Sequence, residues 1–593
     1  MQIKRRATSP VRPSPAKRHA REEPNGTNRR RIEEEVGIVN RTFYPPEMSN
    51  ARCEQYNNNE IPRPLTILDQ TLKNTENDRR KIAAGECVVH WFKRDLRITD
   101  NRGLSLAGSK AKEAGVPLIC MFVVSPQDYE AHCTSKARVD FDLRSLQVLK
   151  EDLEGLDVPL YTATIEDRKN ITSHILGKCK EWGAKHMFCN IEYEVDELRR
   201  ETTLVKKCLE AGINFVAVHD DVVVPPETLV TGAGKQYSVY SPWYRSWVKH
   251  IHAHPHLLAE CPAPVTNHSG ARQKFTSLFG DSNPIPSTPP NKSLSSEDRS
   301  RLLSYWPAGE HEARERLNRF LETRIPKYKD TRNLPGENST SLLSVHFSAG
   351  TLASRTAIRR AVAANKGSNG KLDAGNQGTI TWISELAWRD FYKHVLAHWP
   401  YVCMSKPFKY EYADIEWEYN DEHFRRWKQG KTGFPIVDAA MRQILGMSYC
   451  HNRCRMIVAS FFAKDLLLDW RQGEKYFMEN LIDGDFASNN GGWGFSASTG
   501  VDPQPYFRIF NPLLQSEKFD AQGDYIRKWV PELRSIEGKA VHDPYGRGAM
   551  KEAERSGYPR PMVEHKGARE KALERYKNGL GRGTANVGGG VHN

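Results

Sequence analysis

The chain has 593 residues, and 86 Lys and Arg against 73 Asp and Glu leave a formal charge of +13. That length calls for several domains and a large core, and the basic balance points to an anionic partner, nucleic acid first, with part of the excess in the N-terminal tail. The 11 Cys are scattered without a CxxC pair, Cys450 and Cys454 have no His at zinc spacing, and no apolar run can span a bilayer or serve as a signal core, so the expectation is a soluble chain with reduced thiols.

Residues 1–85 are poor in apolar side chains and rich in Arg, Pro, Asn and Glu, and are expected to be a disordered basic extension. Lys4-Arg5-Arg6 and, past a Ser/Pro spacer, Lys17-Arg18-His19 with Arg21 resemble a bipartite nuclear-import signal for an import receptor. The plainer alternative is a solvated tail that holds DNA non-specifically. Early acids, Glu22, Glu23 and Glu33–Glu35, argue against an organelle transit peptide, although a mitochondrial pool stays open.

From Glu86 the texture changes. Short apolar runs at 87–92 (CVVHWF), 118–124 (LICMFVV), 186–190 (HMFCN) and 214–218 (NFVAV) alternate with helical spacing such as 141–156. Strands alternating with helices predict a parallel sheet, Rossmann-like, over 86–221. It carries neither GxGxxG nor a P-loop. Residues 222–298, rich in Pro, Ser and His, read as a long surface connection, with His250, His252, His254 and His256 a solvated series rather than a metal site. Residues 299–547 read as all-helical, with helices over 311–323, 348–364, 379–398, 435–445, 453–469 and 473–480. Residues 548–593 carry a charged helix-like segment and a Gly-rich tail.

One stretch, Leu481–Pro512 (LIDGDFASNNGGWGFSASTGVDPQPYFRIFNP), concentrates acids, amides, a Gly-Gly pair and aromatics. Its glycines let backbone approach something flat or bulky. Together with WFKRDLRITDN at 91–101, TSLLS at 340–344, WISELAWRDFY at 382–392, GKTGFPIVDAAMRQ at 430–443 and HNRCRMIVASFFAKDLLLDWRQGE at 451–474, it resembles the photolyase/cryptochrome flavoproteins. Several long blocks in the right order, spanning about residues 88–576, make this specific. Within the family the chain is most similar to class I cyclobutane pyrimidine dimer (CPD) photolyases of fungal type. The resemblance implies an α/β antenna domain, a linker and a helical domain holding FAD. It also implies light-driven splitting of dimers in UV-damaged DNA by a monomeric enzyme.

The resemblance assigns roles residue by residue. Tyr328, Thr340, Ser341, Leu343 and Ser344 would hold the FAD diphosphate, although TSLLS alone is also an ordinary helix-cap run. Asp483, paired with Arg455, and Asp485 would flank the ribityl chain and the flavin's polar edge, and Asn489 would face flavin N5. An amide there accepts an N–H and cannot donate an acid proton, which argues for repair over signalling. Glu385, Asn452, Met456 and Trp388 would form the lesion pocket, with Phe495 where bacterial relatives place a second Trp. The dimer must leave the base stack to reach them. His451 alone supplies no histidine pair of the kind (6-4) photolyases use. Arg332, Arg389, Arg453 and Arg508 would contact DNA phosphates, which position the duplex without reading sequence. Trp493, Trp470 and Trp417 would carry electrons to the flavin, each being otherwise a core aromatic. Asp196, Glu197 and Cys403 would contact an antenna, 5,10-methenyltetrahydrofolate before a deazaflavin or none, with Met404 standing where a Lys contact is expected. A blue-light photoreceptor of cryptochrome type is the alternative function.

Overall fold

The computed structural model describes Glu35, Ile38 and residues 50–584, with side chains to residue 580. The import-like clusters and the end of the Gly-rich tail lie outside the described residues.

The apolar runs become strands because side chains on both of their faces are removed from water. β1 (Val88–Phe92), β2 (Leu118–Val124), β3 (Leu160–Thr164), β4 (His186–Asn190) and β5 (Asn214–Val218) form a parallel sheet in the order β3-β2-β1-β4-β5. Val88 pairs with Leu118 on one side and His186 on the other. The central β1 is buried at every position, as expected of a strand covered on both faces. β3 is the strand the sequence reading missed. It is an edge strand, LYTAT, and only Leu160 and Thr162 are buried, so it lacks a continuous apolar run. Helices cover both faces. Arg102–Ala114 starts at Asn101, whose Oδ1 accepts from Leu104 N at 3.0 Å, and stops at Gly115, whose φ of 64° suits a glycine.

The C-terminal half is helical, as expected, with helices that include Gln377–His398, Asn452–Ser460, Trp470–Asn480 and Phe486–Ala497. The predicted run through 469 breaks into a π turn at Phe461–Asp465. This widened turn carries Lys464, whose Nζ donates to Ser498 Oγ at 2.7 Å inside the core.

Two stretches read as loose chain are structured. Asn50–Asn57, Pro64–Asn74 and Glu76–Arg80 are helices, and Cys53, Tyr56, Leu65 and Leu68 are buried. Pro64–Asn74 packs on the helix Val195–Glu210. Arg63 Nε donates to His398 O at 2.7 Å, and Arg79 Nη1 to Phe215 O at 3.1 Å. Too polar to fold alone, the segment folds against a surface that already exists, so the disordered reading of 50–85 is corrected.

The second is Tyr240–Ala253, a helix inside the supposed surface connection. Tyr240, Trp243, Trp247, Val248 and Ile251 are buried at helical spacing, which the His-rich sequence after them obscured. His250 and His254 stack at 4.2 Å and His252 Nε2 accepts from Leu372 N at 3.1 Å, so these histidines have local partners.

The sheet and the helices share a charged seam. Arg355 Nη2 lies 2.6 Å from Asp220 Oδ1 and 3.1 Å from Asp100 Oδ1, and Arg359 Nη1 is 2.9 Å from Asp100 Oδ2. Arg97 also pairs with Asp220. Buried charges persist only when paired and hydrogen-bonded, and here each carboxylate has several donors.

Candidate active site

The Leu481–Pro512 stretch builds its site on helix ends. Asp485 caps the helix Phe486–Ala497, its Oδ2 accepting from Ser488 N at 3.0 Å, while its Oδ1 accepts from Lys393 Nζ at 2.6 Å. Burial would push this carboxyl up, but Lys393 and Arg389 outweigh it and hold it well below the ordinary range. Asp483 receives Arg455 Nη2 at 2.7 and 2.9 Å, the pairing expected. Asn489 Nδ2 donates to Glu474 O at 2.9 Å, so its carbonyl oxygen remains the group it can offer to an N–H. Asn490 Nδ2 donates to Glu474 Oε1 at 2.7 Å, and burial pushes the Glu474 carboxyl up to about 7.

The glycines act within the protein. A Cβ on Gly491 would lie 2.2 Å from the Tyr392 ring, and one on Gly473 2.1 Å from the Trp493 ring. Of the Gly-Gly pair, Gly491 thus lets the backbone approach the flat Tyr392 ring, while Gly492 has open space where a Cβ would stand.

The Thr340–Ser344 segment turns through Leu342 at φ 54° and then Leu343 at φ −93°, ψ −6°. A left-handed residue followed by a right-handed one converges successive N–H groups into an anion-binding concavity. Leucine rarely adopts that first conformation, and such strain concentrates at functional sites. Ser344 opens the following helix and Tyr328 is buried, its ring edge-on to Phe320 at 5.7 Å. A nest for phosphate, acids for ribityl hydroxyls and an amide acceptor for a ring N–H fit FAD.

The residues expected to form a lesion pocket come from two helices. Glu385 and Trp388, three apart, share a face of Gln377–His398, and Asn452 and Met456, four apart, share one of Asn452–Ser460. Asn452 is exposed and the other three are partly buried. Glu385 pairs with Arg332. Burial raises its carboxyl above the usual range, while Arg332 and Arg453 pull it back. His451 is buried and pushed to about 4, chiefly by burial, with Arg455 and Arg453 adding to the effect, so it is neutral near pH 7. Its Nδ1 accepts from Arg453 N at 3.2 Å. Phe495 is partly buried on the helix that carries Asn489.

The four arginines do not behave alike. Arg508 is exposed, and Arg453 Nη2 donates to Asn333 Oδ1 at 3.0 Å beneath the Phe519 ring. Arg389, also expected at DNA phosphate, has partners within the protein. Its guanidinium pairs with Asp221 and donates to Phe347 O at 3.3 Å, inside the charged seam. A sequence block places Arg389 beside Trp388 but not on the same side of the helix, and consecutive helical residues point about 100° apart.

Trp493, Trp470 and Trp417 are 2%, 3% and 8% exposed and belong to one buried cluster. Trp493 lies edge-on to Phe477 at 5.0 Å and to Trp427 at 6.2 Å, an indole the sequence reading missed. Glu418 N donates to Leu467 O at 2.8 Å, which brings the Trp417 segment beside the chain leading to Trp470.

Asp196, Glu197 and Cys403 also meet, around a residue not anticipated. His132 Nδ1 is 2.5 Å from Glu194 Oε2, and its Nε2 is 3.0 Å from Glu197 Oε1 and 3.2 Å from Asp196 Oδ2. Burial would lower this imidazole, but the three carboxylates hold it well above its ordinary value. The Cys403 thiol, on a partly buried residue, is pushed well up by desolvation, with these same carboxylates contributing. Among the described residues this is the one His/carboxylate group tight enough for a metal, and no spacing in sequence links His132 to the acids. A cleft lined by Trp91, Lys93, Arg94, Tyr129, Met478 and Gly484 also reaches His132 and Glu197.

Comparison with known proteins agrees with this geometry. A model of the family described as DNA photolyase matches residues 88–264, and one described as the FAD binding domain of DNA photolyase matches residues 382–578. The chain is 58% identical over 559 residues to a deoxyribodipyrimidine photo-lyase of Neurospora crassa, covering 92% of this chain and 90% of that one. It is 34% identical to the mitochondrial deoxyribodipyrimidine photo-lyase of Saccharomyces cerevisiae, covering 92% and 96%. The fold is similar to the crystal structure of a bacterial class III photolyase from Agrobacterium tumefaciens, with a TM-score of 0.71 and 30% identity over 84% of this chain and 98% of that one. With a parallel sheet, a helical half and a paired-carboxylate site of this form, the chain belongs to the DNA photolyase family.

Proposed function

We propose that this protein is a deoxyribodipyrimidine photo-lyase that splits cyclobutane pyrimidine dimers in UV-damaged DNA under blue light. The observation that supports the reading is that Glu385 and Trp388 share one face of Gln377–His398, Asn452 and Met456 share one of Asn452–Ser460, and Arg453 of the second helix acts on the Glu385 carboxyl of the first. A signalling receptor has no need of a complete lesion pocket.

Bound FAD, when reduced and excited by light, supplies the electron that opens the cyclobutane and takes it back afterwards. The remaining tasks fall to the chain. Thr340, Ser341, Leu343 and Ser344 hold the diphosphate with Tyr328 beside them. Asp483 with Arg455, and Asp485 with Lys393, orient the ribityl chain and the polar edge. Asn489 offers an acceptor and no acid proton toward N5. Glu385 hydrogen-bonds the pyrimidine edge and steadies its charge, a role its raised proton affinity suits. Trp388 stacks on the dimer, while Asn452 and Met456 close the pocket. Arg332, Arg453 and Arg508 hold phosphates, which gives salt-sensitive affinity without sequence preference. Trp493, Trp470 and Trp417 conduct electrons that reload the cofactor.

The antenna domain is placed at 86–221 and the catalytic domain at 299–547. The antenna is 5,10-methenyltetrahydrofolate against Asp196, Glu197 and Cys403, with a deazaflavin in the adjoining cleft as the alternative. The basic clusters at 4–21 direct a monomer to the nucleus, with a mitochondrial share as the alternative.

The test is a repair assay. Purified, pre-reduced protein is mixed with an oligonucleotide holding one thymine CPD and divided between blue light and darkness. Restored thymines in light alone establish the reading. No repair by protein with reduced FAD bound overturns it and moves the weight to a photoreceptor or to (6-4) lesions.

A further inference from the structure

An indole that stacks on a lesion has to be held in place before the lesion arrives, and Trp388 has a partner for this. Tyr240, at the start of the helix Tyr240–Ala253, lies face to face with Trp388, with centroids 3.6 Å apart and planes 9° from parallel. The Tyr240 ring is 7% exposed, and its hydroxyl donates to Ser384 O at 2.7 Å, one turn before Trp388 on the same helix, with Ser384 Oγ at 2.8 Å. The phenol is therefore held at both its face and its tip. Trp388 is partly buried, with Phe391 edge-on at 5.7 Å and Tyr392 tilted against it at 5.4 Å, so the indole keeps some exposed surface beyond the Tyr240 stack.

The same residue meets the loop that carries Arg508. The helix Tyr240–Ala253 has no side-chain cap of its own at Val239, yet Tyr240 N donates to Asp502 Oδ2 at 3.1 Å. A carboxylate at a helix N-terminus satisfies an orphan donor and complements the helix dipole. Asp502 does so from the left-handed region, at φ 44°, which aspartate adopts more readily than most side chains.

Resting on the lesion-pocket reading, we propose that Tyr240 is a positioning residue for lesion recognition. It back-stacks Trp388 so that the indole's exposed surface is presented to the flipped dimer, and through Asp502 it ties that surface to the phosphate-binding loop. A parallel ring held against an indole orders it at low entropic cost because few torsions must be frozen. An unsupported Trp388 would have to be ordered by the lesion itself, at the expense of affinity for the lesion and not of affinity for plain duplex.

The experiment uses FAD-loaded protein and compares binding to a CPD oligonucleotide with binding to the undamaged sequence. Tyr240→Leu is expected to lose about tenfold in the CPD-over-undamaged ratio, with binding to undamaged DNA within about twofold of wild type. Tyr240→Phe, which keeps the stack, is expected to stay within about threefold of wild type. In a Trp388→Ala background Tyr240→Leu should add no further loss, a non-additivity that a merely structural role would not produce. If Tyr240→Leu cannot retain FAD, Tyr240→Met is read by the same criterion. A wild-type lesion ratio in the Leu or Met variant, or additive losses in the double variant, overturns the proposal. Absence of lesion preference in the wild-type protein itself overturns the pocket reading beneath it, and the two failures are distinguishable.

Discussion

Lys393 donates to Asp485 over 2.6 Å, and the same ammonium lies 3.2 Å from Asp221 Oδ2 at the edge of the sheet domain. One residue of the long helix thus links the acid that caps Phe486–Ala497 to the seam between the two halves. Lys393→Met removes the pairing and leaves Asp485 buried beside Arg389 alone. Loss of one partner of a buried pair costs about 3 kcal/mol. The expected outcome is a lower melting temperature and reduced flavin content per protein, read from flavin absorbance. Full flavin content with unchanged melting would sink the link.

Glu385 has a proton affinity raised by burial and moderated by Arg332, with which it pairs. Glu385→Ala should bind FAD normally and repair fewer dimers per absorbed photon, by roughly fivefold if one hydrogen bond worth about 1 kcal/mol is lost. Single-turnover repair at saturating lesion checks this. An unchanged yield would remove Glu385 from the mechanism.

Trp417 is the most exposed of the three proposed electron carriers, at 8%. Trp417→Phe keeps an aromatic ring in the core but is harder to oxidise. Photoreduction of oxidised flavin should fall to a small fraction of wild type, while repair by chemically pre-reduced protein persists. Normal photoreduction would mean that electrons enter elsewhere, with Trp427 beside Trp493 as the first route to examine.

Glu474 accepts from both Asn489 and Asn490, and burial raises its folded pKa to about 7 from 4.5. A carboxyl whose folded pKa is raised contributes stability that is complete below the unfolded value and is lost as pH rises through the folded one. Wild type should therefore lose stability relative to Glu474→Gln between about pH 4.5 and pH 7, by roughly 3 kcal/mol at most. Urea midpoints of both proteins at pH 5 and pH 8 measure it. A gap that does not widen toward pH 8 in favour of the variant contradicts the assignment.

The fold class was legible because burial on two faces demands uninterrupted apolar runs, as in CVVHWF and LICMFVV, and because helices need repeating apolar spacing. β3 escaped because an edge strand can be half polar. The helices at 50–80 escaped because their burial depends on a partner surface, which local composition does not encode. Tyr240–Ala253 escaped because four histidines and Pro255 around its end outweighed a sound apolar stripe.

The candidate site divides in the same way. Paired spacings on one helix, Glu385 with Trp388 and Asn452 with Met456, follow from 3.6 residues per turn and could be read from the chain alone. So could the cap at Asp485, a local hydrogen bond to Ser488. What only the tertiary structure decided is which residues meet across long separations. It turned Arg389 toward Asp221, set Tyr240 against Trp388, and placed His132 among Glu194, Asp196 and Glu197. Charge pairing and ring stacking act over a few ångströms of space, whatever the distance along the chain, so residue identities specify what can interact and packing alone selects the partner.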